Sequence, residues 1–167
     1  MRYADEQVDD TFAPVKIGEA SNLVIQRATQ QRALFILFDG LVESPIEEQF
    51  GFALAHVIVE YGYTVAVLGN GCVEEVDTDF FIIPQFKWGF YRSDFALVDA
   101  REGVTVLIEC DGQEFHSSEE HKLHDHQKDA AAAALSMTTL RFTGSQIFGN
   151  ARLCAQRALF NAIKGRQ

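Results

Sequence analysis

The chain has 167 residues, 47% of them hydrophobic, which is enough for one domain with a sizeable core and short for two. Its 24 acidic and 14 basic residues give a formal net charge of −10, which argues against binding nucleic acid by bulk electrostatics and would require a local basic patch or a partner. No stretch of eighteen apolar residues occurs and the first ten residues are acidic, so we expect a cytoplasmic protein with no membrane segment.

Residues 1–40 are predicted to be an N-terminal extension that is partly irregular, and residues 41–167 a single domain. Residues 1–18 are polar and have no periodic pattern. From Ser21 the apolar positions follow helical spacing as far as Leu37, although the run ALFILF at residues 33–38 fits a strand equally well.

The segment SPIEEQF predicts the start of a helix that runs to about Tyr61. Ser44 is a natural N-cap, Pro45 suits the first helical position, and Glu47 stands where a capping box closes. The predicted buried stripe consists of Ile46, Phe50, Leu54, Val57 and Ile58.

The rest of the chain alternates strand and helix patterns. A short strand is predicted at residues 63–68, and an antiparallel meander of three strands at residues 80–85, 91–98 and 104–110, joined by turn-forming sequences. A helix with an alanine run follows at residues 119–136, then a strand at 138–142 and a closing helix at 151–163, whose predicted inward residues are Leu153, Leu159, Phe160 and Ile163. This order predicts an α+β fold with a mixed sheet of four or more strands flanked by helices.

Carboxylates cluster at one end of the predicted meander. A turn centred near Arg101 and Glu102 would place Asp94 directly opposite Glu109, with Cβ atoms roughly 4.5–5.5 Å apart, where two anions repel. The two-residue period of a strand then puts Asp111 beside Glu109 and Arg92 beside Asp94 on the same face. Such a cluster is poor for stability and well suited to a hard divalent cation.

Structural explanations for the same residues remain open. Asp94 fits an ion pair with Arg92 or Lys87, and Glu109 fits a surface position where its strand leaves the core. On the following helix, Asp125 and Asp129 form a like-charge pair unless one has another partner, for which His116 and Lys128 are candidates. A solvated helix face explains these two acids equally simply.

Cysteine and histidine spacing does not favour zinc. The cysteines at 72, 110 and 154 lack a CxxC pattern, and small apolar filler is the simpler explanation for them. Among the histidines at 116, 121, 124 and 126, one helical ligand pair is available, His121 with His124, so surface positions are favoured.

Three separated motifs, YRSDFAL, IECDGQEFH and DHQKDAAAAALSMTTLRFTGSQI, resemble the restriction-endonuclease-like (PD-(D/E)XK) superfamily. Within it the similarity is to uncharacterised bacterial nuclease domains related to very-short-patch repair (Vsr) endonucleases. The resemblance covers residues 44–147 and implies an αβββαβ core. It also implies a Mg²⁺- or Mn²⁺-dependent endonuclease that hydrolyses DNA.

The resemblance implies a role for each matching residue. Asp94, Glu109 and the backbone carbonyl of Cys110 would bind the metal ion, and Glu47 matches a first-helix glutamate that points toward it. Asp111 stands where the superfamily usually has lysine, a departure that this branch shares. The remaining matches are His116 as a base, Asp125 as the acid that orients it, and Lys128 and Arg141 as phosphate contacts, with Arg92 as a further candidate for substrate binding.

Two other functions fit the same residues. The negative charge and the missing motif lysine favour a catalytically silent interaction module that keeps the nuclease fold. An RNA nuclease would use the same metal chemistry, since nothing in the sequence identifies a group that reads a 2′-hydroxyl. A protein partner or self-association would help an acidic chain to capture its substrate.

Overall fold

The computed structural model describes residues 23–25, 38, 40–69, 76–112 and 119–164. In these residues six strands form one sheet in the order in which they occur along the chain. The strands are β1 (Leu23–Ile25), β2 (Val65–Val67), β3 (Phe80–Trp88), β4 (Tyr91–Asp99), β5 (Thr105–Asp111) and β6 (Thr138–Thr143). The antiparallel meander of β3, β4 and β5 is confirmed, while β2 and β6 add parallel to its two sides. The sheet is therefore mixed and the fold is α+β, as predicted.

Three helices flank the sheet: α1 (Pro45–Glu60), α2 (Glu119–Ala134) and α3 (Gly144–Ala162). Helix α1 begins as predicted, because the Ser44 hydroxyl accepts the Glu47 N–H at 3.3 Å and Pro45 occupies the first turn. Within the described residues, no helix is long and apolar enough to cross a lipid bilayer.

Helices α1 and α3 cover one face of the sheet and form the main core with it. Four of the five residues predicted as the buried stripe of α1 are fully buried, and Ile46 packs against them. Residues of β4 and β5 complete this core: Phe95, Leu97, Val106 and Ile108. Helix α2 covers the opposite face, where its alanine run places Ala132 beside Trp88, Ala96 and Leu107. The carboxyl-bearing end of the meander thus lies between two covered faces.

The secondary structure expected just after Ser21 was wrong. Residues 23–25 form a strand that pairs antiparallel with β2, not part of a helix, because β1 gains hydrogen bonds from a sheet edge that sequence periodicity does not reveal. Residues 1–22 and 26–37 lie outside the described part of the chain.

The closing helix also differs from the prediction. It starts at Gly144 with a capping box between Thr143 and Gln146 and has a kink at Asn150, whose side chain accepts the Leu153 N–H at 2.9 Å. The predicted helix at residues 151–163 is therefore the second segment of α3.

The inward face of α3 was predicted incorrectly in part. Leu159 is buried, but Leu153 and Phe160 are 53% and 46% exposed. The buried face is instead made of small residues, Cys154, Ala155, Ala158 and Ala162, which allow α3 to approach α1 closely. Cys110 and Cys154 are both free and buried, as expected of apolar filler.

Two leucines on α3 give a direct test of this face. Leu159→Ala should lower the free energy of unfolding by about 2–5 kcal/mol because it leaves a cavity in the core. Leu153→Ala should change it by less than about 0.5 kcal/mol because the side chain is largely exposed. Urea unfolding measures both, and equal effects of the two substitutions would contradict the observed orientation of α3.

Candidate functional site

The register between β4 and β5 brings Asp94 and Glu109 to the same end of the sheet. The paired residues run from Val98 opposite Thr105 to Phe95 opposite Ile108, which is the register predicted from the turn. The regular pairing ends there, and the Asp94 carboxylate accepts the Cys110 N–H at 2.6 Å in place of a backbone carbonyl. Asp94 therefore lies where the two strands stop pairing, next to Glu109.

The side-chain alternation of β3 and β4 changes phase at this level of the sheet. Ile83 and Phe86, three residues apart, both pack against the α2 side. In β4, the Ser93 hydroxyl accepts the Trp88 indole N–H on the α2 side of the sheet. Phe95, two residues later, lies in the core on the other side, although a regular strand would place both on one face. Gln85, which lies between the flanking pairs at the level of Asp94, has a φ of 50°. The two-residue period used to place Arg92 and Asp94 on one face therefore does not continue through Asp94.

Helix α1 contributes Glu47 to the site. Its carboxylate is 6% exposed and accepts three hydrogen bonds, from the Glu43 N–H at 3.0 Å, the Ser44 hydroxyl at 2.7 Å and the Gln85 amide at 2.6 Å. The predicted capping box is thus modified, because Glu47 receives the N–H of Glu43 and not that of Ser44. Its bond to Gln85 directs Glu47 across to β3, beside Asp94.

Helix α2 contributes Lys128, which is 8% exposed. Its ammonium group donates to Glu109 Oε1 and to the Arg92 carbonyl oxygen, both at 2.6 Å. A buried ion pair tolerates the loss of hydration only when its geometry and hydrogen bonds are good, and both conditions hold here. Lys128 therefore links α2 to β4 and β5 and neutralises one of the clustered carboxylates.

Burial raises the pKa of Asp94 from an ordinary 3.8 to about 6. The Cys110 N–H opposes this effect, whereas the negative charges of Glu109 and Glu47 add to it, and Lys128 lowers the pKa slightly. Glu47 and Glu109 are thus close enough to Asp94 to influence it electrostatically. Burial also raises the pKa of the Cys110 thiol, so only the carbonyl of this residue is a candidate oxygen ligand.

The outer candidate residues are arranged less closely. Asp111 ends β5 at the surface, where burial raises its pKa and the Arg141 guanidinium lowers it. Asp125 lies on the exposed part of α2 and also raises the pKa of Asp111. His116 lies outside the described residues.

The charged pairs differ from those considered in the sequence. Arg92 does not pair with Asp94, because both of its terminal nitrogens bond to Glu43 at 2.7 and 2.9 Å. Asp129 is bound by Arg141 at 2.8 and 2.9 Å, and not by Lys128, whose partner is Glu109. These choices depend on distances between separate elements, which the spacing along the chain does not fix.

Two residues at the site were missed. Gln85 was assigned only as the end of a strand, and Glu43 was given no role. Pro84 was the available signal for Gln85, since proline inside a strand marks a bulge or a break in the pairing. No comparable local signal identified Glu43.

A divalent cation fits this donor set in part. In the portion of the chain that the structure describes, no group of three or more His, Cys, Asp or Glu side chains is arranged so that it could hold a metal ion by itself. Mg²⁺, however, is commonly held by one or two carboxylates, with waters and substrate phosphate completing its shell. Asp94, Glu109 and the Cys110 carbonyl match that pattern, provided that Glu109 is shared with or released by Lys128.

Comparison of the chain with protein-family models, curated proteins and solved structures found no match.

The raised pKa of Asp94 predicts how stability changes with pH in the metal-free protein. The native state binds more protons than the unfolded state between pH 3.8 and about 6, so stability falls across this interval as pH rises and stays reduced above it. Asp94→Asn removes the charge and keeps an oxygen for the Cys110 N–H. We expect it to raise the free energy of unfolding by about 1–2 kcal/mol near pH 8 and to have little effect near pH 4.

Urea unfolding with a chelator present measures this difference. Glu102→Gln, at an exposed acid on the turn at the opposite end of β4 and β5, is the control and should change stability little at either pH. A destabilising effect of Asp94→Asn near pH 8 would contradict the raised pKa of Asp94.

Proposed function

We propose that the protein is a metal-dependent endonuclease that hydrolyses phosphodiester bonds in DNA. The observation that carries the proposal is the meeting of Glu47, Asp94 and Glu109 with the ammonium group of Lys128 where β4 and β5 stop pairing. Acids gathered in this way disfavour stability, and a buried carboxylate with a raised pKa, such as Asp94, is typical of functional sites. The resemblance of the motifs to restriction-endonuclease-like proteins supports the same chemistry.

In this proposal Asp94, Glu109 and the Cys110 carbonyl hold Mg²⁺ or Mn²⁺. The bound cation would polarise a phosphoryl oxygen and lower the pKa of a water molecule. Glu47 would hold its position through Gln85 and keep the electrostatic field of the site negative until the cation arrives. Asp94 must lose its proton to bind, so metal affinity should rise with pH around its pKa of about 6.

Lys128 would perform the role of the superfamily's motif lysine, whose position Asp111 occupies in this chain. Its ammonium group already lies against Glu109 and is held by a backbone oxygen of β4, so a small movement would bring it to a phosphate bound beside Glu109. A cation prepositioned in a partly buried site stabilises the charge that develops during phosphoryl transfer. Arg141 would contact phosphate only after releasing Asp129, and Asp125 would orient His116 as a base.

Plasmid nicking tests the hydrolysis. The wild-type protein should nick DNA with Mg²⁺ or Mn²⁺ and lose this activity with chelator, while Asp94→Asn and Glu109→Gln should each lower the rate by at least about 100-fold. Glu102→Gln is the matched control and should retain the wild-type rate. Absence of metal-dependent cleavage by the wild type, or full activity of Asp94→Asn, would exclude the proposal. Comparing the cleavage of DNA and RNA strands of the same sequence distinguishes a DNA nuclease from an RNA nuclease.

A catalytically silent interaction module is the second candidate. It is favoured by the ion pair that Lys128 forms with Glu109 and by the net charge of −10. Titration calorimetry with Mn²⁺ distinguishes the two. An intact site should bind Mn²⁺, bind it about tenfold or more weakly in Glu109→Gln, and bind it more tightly in Lys128→Met, which removes a competing cation. A wild-type protein that gives no binding heat and no thermal stabilisation with Mn²⁺ would support the silent module.

A further inference from the structure

Phe90 is the most exposed large apolar side chain among the described residues, at 105%. It lies at the tip of the β3–β4 hairpin, in a two-residue loop with Gly89 between the paired residues Trp88 and Tyr91. Gly89 has a φ of 54°, which suits glycine at the first central position of a type II′ hairpin turn. The loop therefore directs an aromatic ring into solvent, where it makes no contribution to the core.

The base of this hairpin is firmly packed. Trp88 is buried, donates its indole N–H to Ser93 at 3.1 Å and lies against Tyr91, with ring centroids 4.9 Å apart. Tyr91 in turn meets His124 of α2 edge-on. Since these aromatic neighbours fix the strands on both sides of the loop, Phe90 projects from a rigid support.

Two basic side chains lie on the hairpin one cross-strand pair away from the pair that flanks the loop. Lys87 and Arg92 are opposite each other in the register of β3 and β4, and both are exposed. Like charges in such a pair destabilise a sheet. Glu43 bonds to Arg92 and relieves part of this repulsion, and an anionic ligand bound at the same position would relieve more. Lys87 and Arg92 thus form a small local cluster of positive charge, which Glu43 neutralises in part.

The hairpin tip, defined as residues 87–92, lies beside the candidate catalytic carboxylates. Arg92 is two residues from Asp94, and Phe90 is four, about 13 Å along the strand. A strand whose phosphate is at Asp94 could therefore reach the ring with a base that lies close to the cleaved bond. An exposed ring with flanking cations is the arrangement that binds single strands by base stacking and phosphate contact.

We propose that the hairpin tip binds single-stranded nucleic acid, with Phe90 stacking on an unpaired base, Lys87 contacting an adjacent phosphate, and Arg92 doing so after it releases Glu43. The inference rests on the proposed function for the class of ligand, and it adds the form of the substrate, a single-stranded or locally unpaired segment next to the cleaved bond. The tip would hold this segment whether or not metal is present.

Binding of a short fluorescein-labelled DNA strand of mixed sequence, followed by anisotropy with chelator present, tests the inference. Phe90→Ala should weaken binding of the single strand about tenfold, and Phe90→Trp should restore it, because stacking depends on an aromatic face. Affinity for the fully paired duplex should change less than about twofold. Lys87→Gln should weaken single-strand binding and reduce its dependence on salt.

Phe160→Ala is the matched control. This phenylalanine is also exposed and packs against Tyr61 at the far end of α1, about 20 Å from the start of that helix, where Glu47 lies. Its substitution should leave the affinity unchanged, and thermal unfolding will show that all variants remain folded.

The inference is overturned if Phe90→Ala binds the single strand as tightly as the wild type, the result expected if the tip docks on a protein. Equal losses in Phe90→Ala and Phe160→Ala, or equal losses for single strand and duplex, overturn it as well. Because binding is measured without metal, the two proposals fail separately. Phe90-dependent binding without nicking would reject only hydrolysis, whereas nicking with Phe90-independent binding would reject only the hairpin tip.

Discussion

The buried bridge made by Lys128 holds the carboxyl-bearing end of the sheet together. One ammonium group from α2 bonds to a carboxylate of β5 and to a main-chain oxygen of β4, at the level where these strands no longer pair with each other. Without this cation, Glu109 would be left as a buried carboxylate near Asp94 with no opposite charge bound to it, and loss of one partner of a buried ion pair is strongly destabilising. Together with the packing of Ala132 and the ion pair between Arg141 and Asp129, this contact positions α2 and the outer acids.

The same region departs from regular sheet geometry in ways that serve no evident stabilising role. Gln85 has a left-handed backbone conformation inside β3, the side-chain alternation changes phase, and the Asp94 carboxylate replaces a ladder partner for Cys110. Backbone strain and perturbed acids commonly persist where a site requires them and the surrounding core compensates. Here the well-packed core of α1, α3 and the centre of the sheet supplies that compensation.

Charge is distributed unevenly over the chain. The net charge of −10 masks a C-terminal segment, residues 138–167, that contains no Asp or Glu, and a hairpin tip where Lys87 and Arg92 stand opposite each other. A nucleic acid approaching the carboxylates would therefore meet cations and an exposed aromatic ring first. Local arrangement, more than total charge, decides whether such a ligand is compatible with this protein.

The sequence by itself determined the features that depend on neighbours along the chain: the cap of α1, the buried stripe that includes Phe50 and Leu54, the meander, and the register that sets Asp94 beside Glu109. Tertiary structure alone decided which cation meets which acid, since Lys128 reaches Glu109, Arg92 reaches Glu43 and Arg141 reaches Asp129. It also decided that Trp88 is buried and Phe90 exposed, although both belong to one turn. Hydrophobic period and turn chemistry act over a few residues, whereas ion pairing and burial depend on distances between elements that only the packed fold brings together.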